Sequence, residues 1–174
     1  KVGKGYALDY LFNLLTEEGK NDYDGYFVFD ADNYVDPNFV KEMNASFDTG
    51  KYAALTSYRN SKNFGTNWIS AGYGLWFLRE ARFLNAPRTA LGTSCAISGT
   101  GFLVSGDLIR ENGGWPFHLL TEDIEFSVNC ALQARSSATA TRPSSTTSSP
   151  SPSSSPGISA FGGPRDFTRS TTAT

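Results

Sequence analysis

Tyr26-Phe27-Val28-Phe29-Asp30-Ala31-Asp32 is the stretch on which the reading of this chain turns. The apolar run that follows Asp24-Gly25 is continuous rather than alternating, as in a strand covered on both faces. It ends in two carboxylates two residues apart. In extended backbone, residues i and i+2 share a face, so Asp30 and Asp32 are expected to project together from the strand end. Like charges held close are costly unless a cation lies near them. A hard divalent ion such as Mg²⁺ or Mn²⁺ suits oxygen ligands and keeps positions open for phosphate and water. The plainer alternative is a polar turn after a strand.

Working outward, helical and strand patterns alternate. Leu8, Leu11, Phe12 and Leu15 recur at helical spacing and predict an amphipathic helix ending near Gly19. Asp36-Pro37 reads as an N-cap and first helical residue, with Phe39, Val40, Met43 and Phe47 as the buried stripe. Residues 53–58 are a second strand candidate, and a long helix is expected over Trp68 to Leu84. Ser98-Gly99-Thr100-Gly101 forms a loop leading into a strand at Phe102-Leu103-Val104, followed by a short helix from Asp107 to Glu111. Gly113-Gly114 breaks the chain before Trp115. A last helix begins at Thr121, with Ile124, Val128, Ala131 and Leu132 as its apolar stripe. This alternation predicts an α/β layered fold with a mostly parallel sheet, whose ligands sit at the carboxyl ends of the strands.

A second group of carboxylates, Glu122 and Asp123, opens that last helix. Acids in a first turn are stabilised by the helix dipole, and Thr121 suits the cap. The functional reading makes one of the two a general base. Gly99-Thr100-Gly101 lacks the third glycine of a dinucleotide fingerprint, and no GK[ST] occurs, so these glycines serve close backbone approach by substrate or by packing. His118 has no evident partner and reads as packed or surface. Trp68, Tyr73, Trp76 and Trp115 offer stacking surfaces for sugar rings or, more commonly, core volume.

Composition narrows the classes. Residues 1–133 hold 22 of the 24 aromatics and carry 11 Lys/Arg against 16 Asp/Glu, a mildly acidic body. That balance excludes binding to nucleic acid driven by charge. An acidic body handling a phosphorylated substrate calls for a metal cation. Two cysteines, Cys95 and Cys130, with no CxxC pair and one histidine exclude a disulfide scaffold, a cysteine zinc site and a multi-histidine centre. No stretch reaches the roughly 20 apolar residues needed to span a bilayer; the best, residues 67–84, contains Arg79, Glu80 and Arg82.

Composition shifts abruptly near Ala134. Ser136 to Pro156 holds ten Ser, four Thr and four Pro in 21 residues, with no large apolar side chain to offset the entropy of ordering. Residues 1–133 are therefore expected to form the organised body, and 134–174 a disordered tail. A linker, an O-glycosylated stalk and the product of a reading-frame shift all fit that composition.

The order of Gly3-Lys4-Gly5-Tyr6-Ala7-Leu8, Asp30-Ala31-Asp32, Ser98-Gly99-Thr100-Gly101 and Thr121-Glu122-Asp123 resembles that of processive-type family 2 glycosyltransferases. The resemblance covers residues 1–133 and points to the membrane-associated branch related to cellulose, chitin, hyaluronan and poly-N-acetylglucosamine synthases. It implies a GT-A-type fold and inverting, hexosyltransferase-type transfer from a nucleotide-sugar, commonly a UDP-sugar, to a saccharide or lipid-linked hydroxyl in polysaccharide biosynthesis. Under it, Asp30 and Asp32 match the DxD element that binds the donor diphosphate and its Mg²⁺ or Mn²⁺, and Lys4 lies near the donor. Asp123 matches the base of the TED element, with Glu122 beside it, and Gly99, Thr100, Gly101 and Trp115 are expected on the acceptor side. The resemblance also implies a full-length protein at the cytoplasmic face of a membrane, anchored by segments outside this chain. The family's first strands would precede Lys1, and Gln133-Ala134-Arg135 is not its QxxRW element, so the domain reads as incomplete at both ends. Two other classes compete: a carboxylate glycoside hydrolase, which needs two carboxyls about 5–9.5 Å apart flanking a sugar cleft, and a non-catalytic sugar- or partner-binding module.

Overall fold

The computed structural model describes residues 3–147. Helix α1 (Lys4–Glu17) is followed by strands β1 (Gly25–Val28) and β2 (Asn33–Val35), helix α2 (Phe39–Phe47) and strand β3 (Ala54–Ser61). Helix α3 (Trp68–Leu78) runs on through a π-helical stretch, Arg79–Asn85, into α4 (Ala86–Ala90), where a single helix to Leu84 was expected. Strand β4 (Phe102–Ser105), helices α5 (Gly106–Asn112) and α6 (Glu122–Leu132), and strand β5 (Ser137–Thr147) complete the order.

The five strands form one sheet in the order β1-β4-β3-β5-β2. The α/β class holds, but the sheet is mixed rather than mostly parallel. Only β3 and β5 pair in parallel; β4 is antiparallel to both neighbours, and β2 is antiparallel to β5. The reason lies in the connection. A parallel neighbour needs a crossover that returns to the strand's starting end. Here the excursion through α3, the π-helical stretch and α4 delivers the chain to the carboxyl end of β3, so β4 runs back the other way.

Residues 137–147 correct the expectation of a disordered tail from residue 134. They form β5, paired along β3 from Ala54–Ser137 to Ser61–Thr147 with a register shift between Thr56 and Tyr58. Ala138 and Ala140 are buried, as are Ser137 and Thr139. Ala138 and Ala140 join the cluster under α2 with Phe39 and Met43, and backbone pairing supplies what apolar bulk does not. The rest of the expected tail, from residue 148, lies outside the described residues.

The period of two in the strands splits the core. Ala54 of β3 and Phe102 and Val104 of β4 face a cluster with Phe12, Leu108, Ile109, Trp115, Phe117 and Phe126. Leu55 and Leu103 point the opposite way, onto Phe39 and Met43 of α2 with Ala138 and Ala140. In α1 Phe12 is buried with Leu8 and Leu15 packed against it, while Leu11 turns outward. The stripe expected for α6 is reversed. Phe126 and Cys130 face the core, and Ile124, Val128 and Leu132 are exposed, because the aromatic Phe126 buries more area against Trp115 and Phe102 than the aliphatics would. Cys95 and Cys130 are both buried free thiols, as expected, and burial pushes the Cys130 thiol up to about 11. Among the described residues no helix is long and apolar enough to cross a membrane.

Candidate functional site

The antiparallel course of β4 decides where the site sits. It brings the start of β4 beside the carboxyl end of β1, with Phe102 opposite Val28, and leaves β3 running past it. The end of β1, the far half of β3 and the loop before β4 therefore share one rim of the sheet, where α6 also begins.

Asp30 is tied to that rim by its backbone and its side chain. Its N–H donates to Thr100 Oγ1 at 2.8 Å, and Lys4 Nζ lies 2.6 Å from its Oδ1. The same Lys4 ammonium donates to the Gly99 carbonyl. Asn33 Nδ2 donates to Thr100 Oγ1 as well. The Asn33 N–H bonds the Asp30 carbonyl at 3.1 Å, so Asp30 to Asn33 is a four-residue turn. That corrects the expectation of extended backbone through Asp30 and Asp32. They occupy the first and third positions of a turn, and both are exposed.

Within the glycine loop the residues divide. Thr100 is buried and receives the hydrogen bonds just described, while the Gly101 N–H bonds Val28 O at 2.9 Å; both lock the loop to β1. Gly99 is the member that faces α6. A Cβ placed on it would lie 3.2 Å from Asp123 Oδ2. The other oxygen of Asp123 accepts the Ile124 N–H at 2.8 Å. Ser127 fastens this turn to the loop, donating to the Asp123 carbonyl at 2.7 Å and accepting from the Ile97 N–H at 2.8 Å. Thr121 stands at the N-cap position without a side-chain capping bond.

Burial pushes the Glu122 carboxyl above the usual range; the charges of Asp123 and Asp30 push the same way and Lys4 opposes them. A folded-state pKa above the unfolded value means that the ionised form costs stability. The cost is absent below the unfolded carboxylate range and complete above the raised folded value. Glu122→Gln is therefore expected to raise the melting temperature slightly at neutral pH, and thermal melts should show the difference fading toward about pH 4. A variant that melts lower than wild type at neutral pH contradicts this.

Trp115 is corrected as an acceptor-side residue. It is fully buried, stacked on Phe126 at 4.8 Å between ring centroids and edge-on to Phe117 at 5.2 Å, and offers no face to a sugar. Trp68 and Trp76 are exposed instead. His118 has partners the sequence did not reveal: Asp9 Oδ2 at 3.1 Å and the stacked ring of Tyr6. The residue most clearly missed is Arg59 of β3, which pairs with Glu80 at 3.3 Å and donates to Ser98 Oγ. Its signal was a cation in the continuation of an otherwise uncharged buried strand.

Among the described residues no three His, Cys, Asp or Glu side chains converge as a metal cage. The donor set nevertheless suits a Mg²⁺-like ion, which takes one or two carboxylates and fills its shell with phosphate oxygens and water. Asp30 and Asp32 are the side chains that would hold it.

The family model described as "Glycosyl transferase family group 2" matches residues 27–166. The match runs through both carboxylate groups and on past residue 133 into the Ser/Thr/Pro-rich segment. No curated protein matches the chain.

Proposed function

The chain belongs to glycosyl transferase family group 2, and from that premise we propose that it transfers a sugar, with inversion, from a UDP-sugar-type donor to a saccharide or lipid-linked hydroxyl. One observation carries the reading: the Lys4–Asp30 pair, Gly99 and Asp123 meet at one rim of the sheet. A cation and two turn carboxylates on one side, and a carboxylate at a helix start on the other, are what a diphosphate donor and a hydroxyl acceptor require.

Lys4 faces the donor diphosphate, and Asp30 and Asp32 are the residues that would hold Mg²⁺ or Mn²⁺ beside it. When bound, that ion neutralises charge on the leaving diphosphate. Asp123 removes the proton of the acceptor hydroxyl through Oδ2, the oxygen that faces Gly99, while the Ile124 N–H holds Oδ1. Glu122 shapes the acceptor side. Thr100 and Gly101 set the position of Gly99 without touching substrate. On the order of its motifs, this reading puts the chain in the branch that makes cellulose-, chitin- or hyaluronan-like polymers, and the full-length protein at the cytoplasmic face of a membrane.

Donor binding tests the reading. Titration calorimetry of UDP-sugars with Mn²⁺ should show metal-dependent binding, and Asp32→Asn should weaken it at least about tenfold, the cost of losing even a group that only supports a metal ligand. Binding that needs no metal and ignores this change overturns the donor assignment. Sugar binding that survives Asp123→Asn, in a protein with no turnover, would favour a binding module.

A further inference from the structure

Arg59 lies on the rim but belongs to neither carboxylate group. Its side chain is 12% exposed, and its guanidinium meets three elements at once. Nη2 donates to Ser98 Oγ at the head of the glycine loop and to Glu80 Oε2, and Cζ lies 4.5 Å from the centroid of the Phe77 ring. Glu80 comes from the π-helical stretch that interrupts the helix between α3 and α4. Such wide turns recur at functional sites because they re-aim a side chain that a regular helix would point elsewhere. Burying a guanidinium is costly and pushes its pKa down; the negative charge of Glu80, then of Asp123 and of Asp30, opposes that. The buried cation is thus matched on one side by Glu80 and on the other by the two carboxylate groups of the site.

We propose that Arg59 is a positioning residue, whose Nη2, shared between Glu80 and Ser98, fixes the loop that presents the Gly99 carbonyl to Lys4 and the Gly99 face to Asp123. The proposal rests on the transfer reading above for its consequence in catalysis. The loop has little else to hold its first residue. Thr100 and Gly101 are anchored to β1, and Ile97 to Ser127, so Ser98 is the point where the loop leaves one anchor for the next. A lysine keeps the charge but not the planar guanidinium that lies over Phe77 and sets the direction of Nη2. Ser98→Ala removes the acceptor and leaves the cation and Glu80 paired.

The test compares Arg59→Lys, Ser98→Ala and the double variant in the full chain, with two readouts. In sugar transfer each single variant is expected to lower kcat about ten- to a hundredfold, the cost of misplacing reacting groups by an ångström or less. The double variant should be no worse than Arg59→Lys, because both changes break one link. In hydrogen exchange the amides of Asp30 and Gly101 should lose protection while those of Leu55 and Leu103 keep theirs. Unchanged exchange at Asp30 and Gly101 in both variants overturns the inference, and so does exchange that rises throughout β3 and β4, which marks a merely structural role. Additive losses of kcat overturn it as well. If wild type transfers no sugar, the functional reading fails, and the exchange pattern alone still decides whether Arg59 holds the loop.

Discussion

Asp123→Asn is expected to lower kcat by about 10²–10⁴-fold, the range for removing a positioned general base, with donor affinity unchanged. The variant isolates the chemistry because it spares the structure. The amide oxygen of asparagine accepts the Ile124 N–H as Oδ1 of Asp123 does, and the Ser127 bridge uses the residue's backbone carbonyl, not its side chain. What disappears is the carboxylate oxygen opposite Gly99. Initial-rate measurements over donor and acceptor, beside calorimetric donor binding, separate the two effects. They also set Asp123 apart from Asp32, whose substitution acts on binding first. An Asp123→Asn protein that turns over at the wild-type rate moves the base elsewhere, with Glu122 the next carboxylate to test.

The parts of the molecule that were legible in the sequence are those written as local pattern. The run Tyr26–Phe29, the spacing of Leu8, Phe12 and Leu15, and Phe102–Val104 each carry their element in their own periodicity, and β1, α1 and β4 form there. The carboxylate groups were legible too, because acids at the end of a buried strand or the start of a helix stand out against their flanks. Strand direction was not. Whether β4 runs with β3 or against it depends on where a connection of some forty residues ends, and no local pattern encodes that. Nor was β5, whose Ser, Thr and Ala have the composition of a solvated linker but lie between two strands with unsatisfied backbone groups. Trp115 and Arg59 mark the same boundary from two sides. A tryptophan near a candidate site is equally good core volume, and an arginine in a strand declares its partners only when Glu80 and Ser98 arrive from distant positions.

Gly5→Ala is expected to lower stability strongly and to weaken the donor side as well. Gly5 lies in the first turn of α1, where a Cβ would meet the Phe117 carbonyl oxygen at 2.1 Å, with the Phe117 carbonyl carbon at 3.2 Å and His118 Cα at 3.3 Å. These are backbone atoms, so no rotamer change relieves the clash, and the helix must lift from the 117–118 segment. Overpacking of this kind costs about 1–3 kcal/mol, occasionally more. Lifting the first turn also pulls apart the Tyr6–His118 stack and the Asp9–His118 contact, and it withdraws Lys4 from Asp30 and the Gly99 carbonyl. Gly72 provides the control: it too is helical, in α3, but a Cβ there meets nothing within 4 Å. Gly72→Ala should therefore gain about 0.5–1 kcal/mol from reduced backbone entropy alone. Denaturant midpoints read the opposite signs of the two glycines, and donor titration of Gly5→Ala, well below its midpoint, reads the displacement of Lys4. Should Gly5→Ala unfold at the same midpoint as wild type, α1 is not seated on Phe117 and His118, and the route by which Lys4 reaches the site is wrong.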